Sequence, residues 1–274
     1  DFLQQSGITE ISELPAGEGL TKYKTDSICG DFERKSELAL QCAQTLEKYC
    51  EIKKPFLESF LDEKSIDLSE YRGVSDSADG IMRLCLALSK KSEGISFEKA
   101  EIVRQQTLID YYRPWEKLDI PMSCVRTLTS SVFIGYFKEQ LSKDEILQKI
   151  ALSSPELDSI DVQVISSSQT MTAIVALCHR SDREQLENAL RENGFVKPDN
   201  PAKALPSAVI KQAEEKISAC REKIEGYELE ISSHASDYEK IRLLSDYYAV
   251  QAEKYRTVAM AATSERAVFI EGYV

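Results

Sequence analysis

Glycine and proline are scarce in this sequence, 11 and 8 of 274 residues, and that scarcity argues against an all-β architecture, whose many turns need both. Glu, Lys, Ala, Leu and Arg are plentiful instead, so most of the chain is expected to be helix. Histidine is nearly absent, with two residues, and the seven cysteines at 29, 42, 50, 85, 124, 178 and 220 contain no C-x-x-C pair. An odd count at positions where small apolar residues would serve fits reduced thiols used as small hydrophobes in a reducing compartment, not a disulfide framework. No N-glycosylation triplet or signal-peptide pattern is present, which agrees with cytoplasmic exposure. A bilayer span needs about 18 apolar residues, and stretches such as AIVALC (173–178) fall far short of that. Positive charge is also in short supply: 34 Lys and Arg stand against 46 Asp and Glu, for a net charge of -12. Such a chain is repelled by phosphate backbones and anionic headgroups, which excludes nucleic acid as the expected partner.

What is present is long-range helical periodicity. Between Leu205 and Glu265 there is no proline and one glycine, Gly226. Apolar or small residues step by alternating three and four through Ile210, Ala213, Ile217, Cys220, Ile224, Tyr227, Ile231, His234, Tyr238, Ile241, Ser245, Tyr248, Ala252, Tyr255, Ala259 and Ala262. This heptad seam predicts one continuous helix of roughly 80–90 Å, which needs a partner alongside. The first third supplies one: Phe32, Ser36, Ala39, Ala43, Leu46 and Cys50 repeat the step, and a helical pattern with Ser96 as its N-cap resumes over 96–118. Residues 52–95, with Pro55 and the glycines of YRGVSDSADG, read as an irregular insert. The outgoing path is thus expected to be broken and the return path continuous.

The grammar changes over 125–201. SSVFIGYF reads as a strand, SKDEILQKIAL as a capped helix, SIDVQVISS and TAIVALCH as strands, DREQLENALRENG as a helix closed by Gly194, and FVKP as a short strand. A β-α-β-β-α-β order of this size predicts a ferredoxin-like lobe. Its strand VFIGYF is echoed by VFIEGYV at the end of the chain, and its LENALRENGFVKP by DFLQQSGITEIS at the start. A second small lobe is therefore expected, split between residues 1–25 and 266–274, with its first strand missing. The chain lacks an initiator Met and opens inside a helical pattern, which suggests a piece of a longer protein.

Enzymatic chemistry finds little support. His179 and His234 lie on different elements, without neighbours at metal-ligand spacing. His234, on the seam, is expected to set register; Cys178 beside His179 on a strand faces the opposite side from it. Gly17 and Gly19 of PAGEGL lack the rest of a phosphate loop and read as a turn. Tyr227, Tyr238, Tyr248 and Tyr255 at heptad spacing predict inter-helix packing and not base stacking. The single Trp115, between Pro114 and Pro121, reads as an anchor where a helix meets the middle lobe. No catalytic, cofactor-binding or metal residue is assigned.

Four stretches carry a resemblance: LQQSGITEIS (3–12), PWEKLDIP (114–121), LENALRENGFVKPDNP (186–201) and TSERAVFIEGYV (263–274). With them the chain resembles the N-terminal cytoplasmic part of subunit I of V-type (A-type) proton or sodium ATPases, the equivalent of eukaryotic subunit a. The resemblance implies an α+β fold: two ferredoxin-like lobes joined by a long antiparallel, coiled-coil-like helical stalk. The expected layout is a split proximal lobe (1–25 and 266–274), stalk helices over 26–124, a distal lobe over 125–201 and a long stalk helix over 202–265. The implied role is a non-enzymatic stator at the cytoplasmic face of the membrane. Its implied partners are peripheral-stalk coiled-coil subunits (E/G type) through both lobes, the central-stalk cap subunit, and the membrane rotor ring through a missing C-terminal domain, with no small-molecule substrate. A coiled-coil adaptor unrelated to ATPases is the alternative. A regulatory lobe binding a small metabolite rests on fold analogy alone.

Overall fold

The structure, a computed structural model, describes residues 10–14, 20–50, 52, 67–264 and 266–273. Chain order gives strands β1 (Glu10–Ser12) and β2 (Thr21–Lys22), helices α1 (Asp26–Tyr49) and α2 (Leu68–Tyr112), strand β3 (Ser130–Phe137), helix α3 (Lys143–Ser153), and strands β4 (Ile160–Ser167) and β5 (Thr172–His179). Helices α4 (Arg183–Glu192), α5 (Pro206–Ser232) and α6 (Tyr238–Met260) follow, then the short strands β6 (Ala262–Thr263), β7 (Val268–Phe269) and β8 (Glu271–Tyr273). Helices dominate, as the composition predicts, and with the small sheets they make an α+β chain. It divides into two compact units, residues 97–223 and residues 1–96 with 224–274.

In the unit of residues 97–223 the order β-α-β-β-α read from the sequence is present with its boundaries close to those expected. The antiparallel sheet runs β3–β5–β4. The short strand expected at FVKP shrinks to one bridge, in which Val196 and Tyr136 exchange backbone hydrogen bonds of 2.8 and 2.9 Å. Pro198, two residues on, has no N–H to extend the ladder. Alternation along the strands gives the sheet two buried faces. Phe133, Phe137, Val162, Ile174 and Ala176 pack under α3 and α4 against Ile146, Ile150, Leu186 and Leu190. Val132, Ile134, Ala173 and Val175 face Ile109, Tyr112, Trp115, Ile210, Ala213 and Ile217. Ile165 reaches this second face by the same alternation, and the register shift between Val164 and Ser166 sets Ser166 opposite Ala173. Ser142 caps α3 in a capping box with Glu145, and Gly194, at φ +84°, ends the turn after α4.

The other unit has a core shared by four helices. Ala39 and Leu46 of α1, Met82, Leu88 and Ile95 of α2, and Ile231, Ile241 and Leu244 of α5 and α6 bury one another. Two expectations are corrected here. The irregular insert expected over 52–95 is helix from Leu68 onward; residues 51 and 53–66 lie outside the described residues. Val74, Ala78, Met82, Cys85, Leu88 and Ile95 form a buried stripe, and its packing overrides the weak helix propensity of Gly73 and Gly80. Ser96 is consequently a mid-helix residue whose hydroxyl donates to the Ser92 carbonyl at 3.1 Å, not an N-cap.

The return helix, expected to be continuous, is the one that breaks. Between α5 and α6 a single tight turn spans Ala235–Asp237. The hydroxyls of Ser232 and Ser233 bond the carbonyls of Leu229 and Glu230, at 2.9 and 2.7 Å. His234 N–H and Asp237 N–H then reach back three residues, to Ile231 and His234, in place of four. Consecutive serines that bond local backbone weaken a helix at that point. The end of the chain is also divided. Instead of one strand, β7 joins β6 and β2, while β8 pairs with β1, setting Glu10 opposite Tyr273. The helix expected within 1–9 and the turn PAGEGL at 15–19 lie outside the described residues.

Candidate functional site

Each chemistry-bearing residue singled out in the sequence has a structural partner. Cys178 is buried in the core beneath α3 and α4, and burial pushes its thiol up. Exposed His179, next in sequence, turns to Ser181, with Nδ1 2.9 Å from its hydroxyl. The structure therefore keeps this pair apart. His234 Nδ1 lies 3.0 Å from Asp237 Oδ2 within the break between α5 and α6. No group of His, Cys, Asp or Glu among the described residues is arranged to hold a metal ion.

The aromatic residues pack. Trp115 is buried with Tyr112, Leu118 and Met122, placed there by the turn Arg113–Trp115 that begins at the end of α2. Phe32 stacks on Tyr248 and Tyr255 with ring centroids 5.9 and 5.5 Å apart. Tyr238 is buried and donates to the Glu47 carboxylate; its hydroxyl is pushed up to about 12 by burial and by that bond. Tyr227 fills the space beside Gly94, where an added Cβ would lie 2.9 Å from its ring. This close approach explains the glycine.

The remaining candidates are surfaces, to which the sequence reading assigned no site. One is a groove of about 330 Å³ lined by Phe133, Glu187, Leu190, Arg191, Phe195 and Lys197. Lys197 bonds Glu187 Oε1 at 2.5 Å and sits 5.8 Å from the centroid of the Phe133 ring. A wider groove of about 590 Å³ gathers Asp158, Asp161, Asp182, His179 and Ser130 at the end of the sheet where β3 starts. In the other unit Val268, Phe269 and Ile270 are half exposed, 55%, 46% and 54%. In the wider groove His179 Nδ1 is engaged by the Ser181 hydroxyl; the first groove and the 268–270 stretch offer apolar and ionic recognition. Most residues of the first groove come from one stretch, 187–197, and β3 adds Phe133; those of the wider groove come from β3, β4, β5 and the turn after β5.

No family model matches the sequence, and no curated protein matches it. The fold, however, has a solved counterpart. The chain is similar to the crystal structure of the cytoplasmic N-terminal domain of subunit I, homolog of subunit a, of V-ATPase, with a TM-score of 0.54 and 13% identity over 99% of this chain and 87% of that one. At that identity the likeness to the subunit I domain is one of fold. No helix among the described residues is long and apolar enough to cross a membrane.

Proposed function

We propose that the chain is a stator and scaffold part of a rotary V-type proton or sodium ATPase. The observation that carries this reading is the fold likeness to a subunit I cytoplasmic domain, which extends over 99% of the chain. The resemblance of LQQSGITEIS, PWEKLDIP, LENALRENGFVKPDNP and TSERAVFIEGYV to that family supports it independently. On this reading the chain forms two ferredoxin-like lobes and an antiparallel helical stalk. The proximal lobe takes residues 1–25 with 266–274, the distal lobe 125–201, and the stalk 26–124 with 202–265. Paired helices with continuous seams resist bending better than a flexible linker does, as an arm that opposes torque must.

The chain then works without catalysing a reaction, at the cytoplasmic face of the membrane. Its partners are the coiled-coil peripheral-stalk subunits, bound through both lobes, with the central-stalk cap subunit adjoining the proximal one. Titration calorimetry of the chain against the cognate peripheral-stalk heterodimer tests this. Saturable binding that weakens when Phe195 and Arg191 are replaced by alanine is expected. Absence of binding to the full heterodimer at any accessible concentration overturns the reading.

A further inference from the structure

The two grooves beside the sheet of residues 97–223 differ in charge. The wider one carries Asp158, Asp161 and Asp182. The smaller, about 330 Å³, carries two cations, Arg191 and Lys197, against one carboxylate, Glu187. Lys197 is already committed to Glu187 at 2.5 Å, while Arg191, exposed near the end of α4, holds no ion pair among the described residues. On a chain of net charge -12 this is a place where an incoming carboxylate is drawn in and not repelled. The floor is apolar: Phe133 and Leu190 are buried, and the half-buried Phe195 forms the wall. Phe195 is pinned, because its ring lies where a Cβ on Gly135 would stand and meets the Phe137 ring edge-on with centroids 5.7 Å apart. A fixed aromatic beside an arginine is the composition of an interface anchor, with little side-chain freedom left to lose on binding. Strand addition is closed off here, since Val196 already holds the edge of β3 at Tyr136 and Pro198 ends that bridge. A volume near the lower end of the small-molecule range takes a side chain or two, not a folded surface.

We propose that this groove docks an amphipathic helix of a partner protein, one that sets an aliphatic or aromatic side chain against Phe195 and places an Asp or Glu, one helical turn away, on Arg191. Glu187 works against that carboxylate: it stands one turn before Arg191 on the same face of α4, and only its pairing with Lys197 offsets the repulsion. Removing the Glu187 charge therefore frees Lys197 as a second cation for the partner. The proposal rests on the stator reading for the source of the helix, a peripheral-stalk coiled-coil subunit; its chemistry comes from the groove.

Titration calorimetry of the full chain with the cognate peripheral-stalk heterodimer tests this through three variants. Arg191→Glu should weaken binding about tenfold and Phe195→Ala about thirtyfold. Glu187→Gln should tighten it about threefold, because a like charge leaves the rim. Raising the salt concentration should erase the effects at Arg191 and Glu187 and leave that at Phe195. Phe195 also packs against Phe137, so its variant counts only if it melts cooperatively; the substitutions at Arg191 and Glu187 change surface charges and decide the matter without it. Binding by the parent chain with Arg191→Glu within about twofold of it, or with Glu187→Gln no tighter than it, overturns the groove proposal and leaves the stator reading standing. No binding by the parent chain overturns both.

Discussion

Single side chains hold these helices in register through a few buried polar contacts. Ser36 of α1 and Ser245 of α6 each donate to the other's carbonyl, at 2.9 and 3.0 Å. The two helices can interlock in this way only at one register, because a buried hydroxyl without a partner costs about 1–3 kcal/mol. Tyr238 does similar work against Glu47. Its folded hydroxyl is pushed up to about 12 from the ordinary tyrosine value near 10, so between those pH values the unfolded chain has lost a proton that the folded chain keeps. Stability contributed by Tyr238 is therefore complete below pH 10 and falls as pH rises toward 12. Urea melts across that range should show the decline, and Tyr238→Phe should flatten it. Gly135 on β3 makes a different contact: a Cβ there would overlap the Phe195 ring and the Val196 carbonyl oxygen. Gly135→Ala is expected to cost about 1–3 kcal/mol through overpacking, seen as a lower melting temperature.

At the scale of elements, what could be read from the sequence depended on whether burial or local propensity decided the outcome. Strands β3 and β5 were legible because continuous apolar runs bounded by polar residues have few other solutions. The α3 start was legible because Ser142 and Glu145 satisfy each other's backbone. The break after Ser232 was hidden: the step from His234 to Tyr238 keeps the seam in phase, so the buried stripe continues across the turn. The opposite error arose in α2, where Gly73 and Gly80 read as punctuation although Val74, Ala78 and Met82 already formed a helical stripe. The first groove was only half legible: Leu190 and Phe195 are neighbours across the turn that ends α4, but Phe133 joins them only through the tertiary fold. The α2 glycines yield a prediction of two signs. Nothing lies within 4 Å of a Cβ added at Gly73 or Gly80, so alanine at either should stabilise the protein by about 0.5–1 kcal/mol. Gly94→Ala meets Tyr227 and should destabilise it. Denaturant midpoints of the three variants measure the difference.

Among the described residues each unit has buried side chains of its own. Leu46, Leu88, Ile241 and Leu244 belong to one core, while Phe137, Ile146, Ile174 and Leu190 belong to a core of the other unit. Helix α2 supplies Val74 to Ile95 to the first and Ile109 and Tyr112 to the sheet-facing core of the second. Each core buries its apolar surface by its own side chains, so each should resist local unfolding by its own free energy. Leu46 is fully buried, and Leu46→Ala should cost about 2–5 kcal/mol. That loss belongs to one unit. Native-state hydrogen exchange of the variant should show faster opening across α1 and α6, while β3, β4 and β5 keep the protection of the parent chain. Equal loss of protection in the sheet would mean that the chain unfolds as one cooperative body, and the division into two independently stabilised units would have to be abandoned.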